Sequence, residues 1–520
     1  MPLPSETRPQ LLIAGSYQNS PFNADDALTM AEKASWRLAM EQPQLSAFSG
    51  VSAGQKWFFA FFVFLMAGYV LIAPYQAVLA LAWLLAAFFI ALIVFRAVLL
   101  GAGLIQTMRA RTMSHTSIVI DDTELPLYSV LTPLYDEPEI LPQLITALMA
   151  LDYPRHKLDI KLILEADDTA TIAAVKKINL PDHFEVLYVP PMAPRTKPKA
   201  CNYALATARG EYVVIYDAED IPAPDQLRLA AAAFAVDSPQ LACVQARLNY
   251  YNPRENWLTR QFTLEYSMWF DWLLPGLQAL GLPIPLGGTS NHFRSSVLRA
   301  IGGWDPYNVT EDADLGLRLA RYGYQCAVLD STTLEEANCQ HGNWLRQRTR
   351  WQKGYMMTWL VHMRAPLTLW RQLGTRGFFG FQLFVGGTVG LALAMPAAAL
   401  VFILAVCTCG PNIPPLLSEL NYVIFASGLV INALSAAAGA IGRKQYDLLA
   451  DIALTPFYWG LTMLASIRAV WQMAVSPFSW EKTRHGISKI KPYPQTGSGS
   501  EPSAPKRHQA QTGPLPALYP

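Results

Sequence analysis

Asp217, Glu219 and Asp220 close the run Tyr212-Val-Val-Ile-Tyr216. The run is short, continuous and rich in Val, Ile and Tyr, which predicts a buried strand. Asp217 and Glu219 lie two residues apart, so on an extended chain both carboxylates point to one face. Like charges this close repel, and burial sharpens the conflict. A divalent cation, Mg²⁺ or Mn²⁺, resolves it, because these ions take carboxylate oxygens together with substrate phosphates. A solvated acidic turn closed by Ile221-Pro222 is the plainer reading of this stretch alone.

Further clusters surround it. Leu131-Thr-Pro-Leu-Tyr-Asp-Glu-Pro138 and Glu165-Ala-Asp-Asp168 each follow a strand-like run, and Lys197-Pro-Lys-Ala-Cys-Asn202 opens a helix. Thr310-Glu-Asp312 and Gln347-Arg-Thr-Arg-Trp351 come later. Strand patterns at Leu127–Leu131, Ile160–Leu164, Phe184–Val189 and Tyr212–Tyr216 alternate with helical ones at Glu139–Leu151, Thr171–Lys177, Lys199–Ala208 and Ala223–Ala235. Such alternation predicts an α/β parallel sheet. Acids at three strand ends then converge on one sheet edge as an anionic pocket, where open α/β sheets bind ligands.

The rest of the chain must hold this domain at a membrane. Apolar residues make up 52% of the chain, and they concentrate before about residue 105 and after about residue 375. Trp57–Pro74 and Ala77–Leu100 are each long enough to span a bilayer. Lys56 precedes the pair, Arg96 lies near its end, and Arg109 and Arg111 follow. The intervening Tyr75-Gln76 carries no base, so both ends are expected on the cytoplasmic side. Gly377–Cys407 and Val423–Ile441 are further spans, with an uncharged-base loop Cys409–Asn421 outside and Arg443-Lys444 inside. Crossing by Leu448–Ala465 would place the basic tail (Lys482, Arg484, Lys489, Lys491) outside. A re-entrant or interfacial hairpin within Leu448–Ser476 avoids this, and an odd number of crossings is the alternative. Met268–Leu280 and Gln352–His362 read as amphipathic surface helices, with Trp269, Trp272 and Trp359 as bilayer anchors. Ala24–Glu41 is helical in composition, with Asn23 as its cap. The expected organisation is a cytoplasmic segment 1–56, a transmembrane hairpin 57–100, a catalytic domain 101–366, membrane and interfacial helices 367–480, and a basic, then disordered tail 481–520.

The formal net charge of +1 gives no nucleic-acid signature. The six cysteines form no CxxC pair, which argues against structural zinc and for free thiols in a reducing compartment. No cleavable signal peptide is recognisable.

In their order, these motifs resemble the membrane-integrated family 2 glycosyltransferases, the group of cellulose, chitin and hyaluronan synthases. The resemblance covers roughly Leu127–Lys489, and Gln347-x-x-Arg350-Trp351 is its most specific element. The run Trp480-Glu-Lys-Thr-Arg-His-Gly486 is similar too. The resemblance implies a GT-A (Rossmann-like) cytoplasmic α/β domain inserted between transmembrane α-helices of a bacterial inner membrane. It implies a nucleotide-sugar donor, UDP-linked, with Tyr135 and Glu137 at the base, Asp167 and Asp168 at uracil or ribose, and Lys199 in a Lys-Ala-Gly-Asn-like motif. Asp217 and Glu219 resemble a DxD motif holding the cation on the diphosphate, with Asp220 as the alternative second ligand. Asp312 resembles the general base. Thr289 and Asn291 resemble a Gly-Thr-Asn loop near donor sugar and acceptor, and Gln347, Arg350 and Trp351 the site of the growing glycan. The sequence departs from the pattern at Glu219 for Asp, at Cys201 for Gly, and at Thr169-Ala170 after the paired acids. The implied activity is processive, inverting synthesis of a β-linked extracellular polysaccharide with its translocation, in contact with the bilayer and with envelope export proteins. A non-processive transferase acting on a lipid, and a catalytically silent scaffold, are the rival readings. His292, His341 and His485 show no metal-site spacing and read as polar or structural.

Overall fold

The computed structural model describes residues 24–113, 120–395 and 415–490, together with residues 398 and 492. Asn23, the loop start at Cys409, the end of the Gly377–Cys407 span and the tail beyond 492 lie outside the described residues.

Helix α1 (Ala24–Glu41) leads to α2 (Ala53–Ile72) and α3 (Pro74–Met113). Then β1 (Tyr128–Leu134), α4 (Leu141–Met149), β2 (Leu158–Glu165), α5 (Thr169–Val175), β3 (Phe184–Val189), α6 (Lys197–Leu205) and β4 (Tyr212–Ile215) alternate. They are followed by β5 (Ile221–Pro222), α7 (Gln226–Val236), β6 (Leu241–Tyr250), α8 (Trp257–Met268), α9 (Leu274–Ala279), β7 (Asn291–Arg294), α10 (Ser295–Ala300), α11 (Glu311–Arg321) and β8 (Gln325–Glu335). Last come α12 (His341–His362), α13 (Pro366–Met395), α14 (Pro415–Gly442) and α15 (Thr455–Val475).

The eight strands form one sheet in the order β3-β2-β1-β4-β7-β6-β8-β5. β1 pairs in parallel with both β2 and β4, and β2 with β3, whereas β7 runs antiparallel to β4 and β6. The sheet is therefore mixed, not purely parallel. Side chains alternate between its faces. Val130, Ile160, Leu162 and Val214 pack under α4, α5 and α7, while Leu131, Ile163, Val213 and Ile215 pack against α6 and α10. Burial on both faces explains the continuous apolar strands. With β2, β1 and β4 adjacent and parallel, the turns after Leu134, Glu165 and Ile215 share one edge.

Among the described residues, five helices are long and apolar enough to cross a membrane by length and composition: α2, α3, α13, α14 and the segment ending in α15. α2 buries no side chain, and Trp57, Phe64 and Leu71 stand exposed along it. α3 and α14 instead dock on α8–α9. A methyl group on Gly103 would collide with the Trp272 carbonyl, and one on Gly276 with that of Leu99, so glycine lets these backbones touch. Arg443, just past α14, grips Asp271 through Nε at 2.6 Å.

The segment 446–476 is two 3-10 turns followed by one helix, in place of the expected hairpin. Its start is tied to the sheet domain by Asp447–Arg254 (2.6 Å) and Asp451–Arg260 (3.0 Å). Its far end returns there too, where Lys353 Nζ donates to the Ser476 carbonyl at 3.4 Å. α14 already begins at Pro415, so the second half of the expected Cys409–Asn421 loop is helical.

Candidate active site

Asp217 and Glu219 sit on the shared sheet edge, each against a cation. Lys197 Nζ pairs with Asp217 and donates to the Gly288 carbonyl at 2.7 Å. His485 Nδ1 stands 3.0 Å from Glu219 Oε1. Burial opposes charging His485, but Glu219 pushes it up to about 9. Burial likewise opposes charging Lys197, and Asp217 with Glu311 more than offsets it, raising its pKa.

Asp220 is placed differently. It is fully buried, and its Oδ2 accepts the Asp217 N–H at 2.7 Å and the Thr289 hydroxyl. It braces the turn that presents Asp217. Burial, with Asp217 and Glu219 beside it, holds its carboxyl well above the usual range. Glu335, at the end of β8, is also raised by burial and by these acids.

Among the described residues, no three His, Cys, Asp or Glu side chains gather as a ready metal cage. Asp217 and Glu219 fit a cation shared with a diphosphate, since two protein carboxylates plus phosphate oxygens suffice for Mg²⁺. Two protein cations already answering these acids show that the position demands positive charge.

Asp312 lies in the first turn of α11, its Oδ1 accepting the Ala313 N–H at 2.8 Å. Burial raises its pKa, while that backbone bond, Lys197 and Arg350 oppose the rise. Neighbouring Glu311 is pushed up to about 8 by burial and by Asp312. A Cβ at Gly354 would strike Thr310, so α12 lies backbone-close to this turn. α12 delivers Gln347, Arg350 and Trp351 to the same cavity. The Arg350 guanidinium sits 4.4 Å over the Trp480 ring, and Trp351 stacks on Tyr266 with centroids 6.2 Å apart.

Tyr135 and Glu137 form the opposite rim. Lys482 reaches them from the tail, 3.5 Å from Glu137 Oε1 and 3.0 Å from the Asp136 carbonyl. Burial and Glu219 push Glu137 up to about 7. The tail is strapped down by Glu336, which accepts the N–H groups of Gly486 (2.6 Å), Ile487 (2.9 Å) and Ser488 (2.7 Å).

The cavity, about 1960 Å³, therefore gathers Tyr135, Glu137, Asp217, Glu219, Thr289, Asp312, Gln347, Arg350 and Trp351. It continues between α3, α13, α14 and α15 as far as Pro74 and Tyr75. Five expected site residues do not line it. Asp168 caps α5, accepting from Thr171 N, and holds the Asp136 N–H at 2.6 Å. Asp167 pairs with Arg195 at 2.6 Å. Lys199 is fully buried against Glu165 at 2.8 Å. Asn291 donates to the Gly287 carbonyl at 2.6 Å, bracing the glycine loop. Asp220 is the fifth. The sequence reads His485 as polar or structural, Lys482 as part of the basic tail and Lys197 as the opening of a helix, and the structure sets all three at the cavity. For Lys197 the signal was its place as the first residue of a helix that opens at the sheet edge. For His485 the nearby motif-like run Trp480–Gly486 was the hint.

The family described as Glycosyl transferase family group 2 matches residues 212–429. A probable glycosyltransferase of Bacillus subtilis is 28% identical over 235 residues, 44% of this chain and 56% of that protein. A β-monoglucosyldiacylglycerol synthase of Trichormus variabilis is 27% identical over 267 residues, 50% of this chain and 55% of its own. A probable glucomannan 4-β-mannosyltransferase of Oryza sativa is 27% identical over 252 residues, 44% and 41%. The chain thus spans about half the length of the curated relatives it matches. Among solved structures, a mannosyltransferase from Pyrobaculum calidifontis in complex with GDP-Man and Mn²⁺ aligns with a TM-score of 0.47 and 21% identity, covering 75% of this chain and 99% of that one.

Proposed function

We propose that this chain, whose residues 212–429 match the family described as Glycosyl transferase family group 2, is an inverting membrane transferase that polymerises a hexose from a nucleotide donor into a β-linked polysaccharide. The observation carrying this reading is the continuity of one cavity, from the acids at the sheet edge past Trp351 to the tip of the α2–α3 turn at Pro74 and Tyr75.

The donor lies along the sheet edge, its base at Tyr135 and Glu137 and its diphosphate toward Asp217, Glu219, Lys197 and Arg350. Asp217 and Glu219 would hold a divalent cation, which would supply Lewis-acid neutralisation of charge on the leaving diphosphate. Arg350 adds forked hydrogen bonds to phosphate oxygens. The acceptor end rests on Trp351 and Gln347. Asp312 takes the proton from the acceptor hydroxyl as that oxygen attacks the anomeric carbon. The bond to the diphosphate breaks on the opposite face, so an α-linked donor gives a β-linkage.

The ties of both ends of 446–476 to the sheet domain support an arrangement in which α2, α3, α13 and α14 cross and α15 lies along the cytoplasmic surface. Four crossings leave Arg443, Lys444 and the basic tail on the side of the catalytic domain, as the positive-inside rule requires. The setting is then a bacterial inner membrane, with export proteins of the envelope as partners.

A second reading, transfer of single sugars to a lipid, is favoured by the apolar lining that Leu79, Ala82, Leu85, Phe89, Met395 and Phe425 give the cavity. Membranes or detergent-purified protein given a panel of radiolabelled nucleotide sugars with Mg²⁺ or Mn²⁺ separate the two. Label in high-molecular-weight product supports polymerisation. Label confined to a solvent-extractable lipid replaces it with the second reading, and no label from any donor removes both.

A further inference from the structure

Arg348, between two residues of the acceptor motif, does not act as they do. Its guanidinium is 7% exposed and lies among four rings, with its Cζ 5.3 Å from the Phe262 centroid, 5.1 Å from Trp344, 4.9 Å from Trp351 and 5.7 Å from Tyr458. Its Nη1 donates to Glu265 Oε1 at 2.7 Å, and its Nη2 pairs with the second oxygen of that carboxylate and donates to the Tyr458 hydroxyl at 2.7 Å. That hydroxyl donates on to Glu265 at 2.6 Å and receives the Trp344 indole N–H at 3.3 Å. Three helices meet here: α8 through Glu265, α12 through Arg348, and α15 through Tyr458.

We propose that Arg348 is the positioning residue that fixes the plane of the Trp351 ring for the acceptor sugar, and that α15 is the lever that keeps it there through Tyr458. The inference rests on the placing of the acceptor at Trp351 under the proposed function. A guanidinium whose Cζ lies 4.9 Å from the indole centroid restrains that ring by cation–π attraction. The fork onto Glu265 restrains the guanidinium in turn. Lysine would keep the charge and lose the fork. Tyr458→Phe keeps the ring and loses the hydroxyl link to α15.

The test uses the full-length protein in detergent or nanodiscs, with acceptor oligosaccharides prepared by partial hydrolysis of the wild-type polymer. Arg348→Lys is expected to raise acceptor KM about tenfold and to shorten the product, with donor KM moving less than about twofold. Tyr458→Phe is expected to move the same two readouts in the same direction by a smaller factor. Removing one partner of a buried ion pair often unfolds a protein, so thermal melting accompanies each variant. Donor and acceptor KM rising together, or activity falling only in proportion to folded protein, overturns the inference. So does a wild-type acceptor KM and product length in folded Arg348→Lys. Failure of the wild type to make polymer overturns the proposed function itself and is read before any variant.

Discussion

His485 Nδ1 and Glu219 Oε1 form an ion pair 3.0 Å long, and it joins the tail of the chain to the motif at the end of β4. With Lys197 on Asp217, the two acids of this motif that face the cavity each have a protein cation as partner. Asp220 alone of the three is turned into the protein.

This separates the roles of the acids. Asp217→Asn and Glu219→Gln are expected to raise the Mg²⁺ or Mn²⁺ concentration for half-maximal transfer by roughly tenfold or more, because each removes an anionic ligand. Asp220→Ala removes the acceptor of the Asp217 N–H and the Thr289 hydroxyl, at about 1–3 kcal/mol. It should lower the melting temperature as well as activity. Metal titration of initial rates beside thermal melting distinguishes them. A metal requirement untouched in Glu219→Gln would shift the second ligand elsewhere.

Asp312→Asn is expected to slow transfer by about 10²–10⁴-fold, the usual contribution of a general base. Donor affinity, read by binding of a labelled nucleoside diphosphate, should hold within a few fold, since Asp312 is assigned to the acceptor proton. Loss of nucleotide binding in step with activity would argue for a donor-site role instead.

Glu311 sets the alkaline limit. Burial and the Asp312 carboxylate push it up to about 8, so it is protonated at neutral pH. Above pH 8 it ionises and adds negative charge near the donor diphosphate. Donor kcat/KM is therefore expected to fall as pH rises from 8 to 9.5. Glu311→Gln, which stays neutral, should flatten that limb. An unchanged limb in the variant would assign it to another group.

How far the sequence reached follows from the range of its patterns. The period-two burial of Val213, Val214 and Ile215 is local, so the strand and the acids after it were readable. Parallel neighbours then bring Glu137 and Asp217 to one edge, which alternation of elements implies. Lys199 was a reasonable choice by motif, yet α6 starts at Lys197, and two residues of helix turn the Lys199 side chain inward to Glu165. Asp168 carries a type of side chain that also caps helices, and in the fold it accepts the Thr171 N–H at the start of α5. The tail could not be placed because its partners, Tyr135, Glu219 and Glu336, are distant in sequence. The single helix 455–475 was obscured by Pro456, which sits at a helix start where its missing N–H costs nothing.

Glu336 is the point at which the tail can be released without touching the donor site. Its carboxylate accepts three successive N–H groups from Gly486, Ile487 and Ser488 and the Tyr251 hydroxyl at 3.1 Å. Hydrogen bonds to a charged group contribute about 1.5–3 kcal/mol each. Glu255 shares the clasp, accepting the Lys489 N–H at 3.1 Å and the Ser488 hydroxyl, and Asn343 holds Arg484 by bonds to its N–H and carbonyl, while Lys482 and His485 face the cavity. Glu336→Ala should therefore loosen residues 485–488 rather than the whole tail, raising limited proteolysis at Lys482, Arg484 or Lys489. Donor KM should rise about tenfold as Lys482 leaves the base end of the donor site and His485 the diphosphate end. Glu336→Gln keeps one carbonyl acceptor and should fall between. If proteolysis at these sites appears with donor KM unmoved, the strap is a structural clasp and Lys482 and His485 take no part in holding the donor.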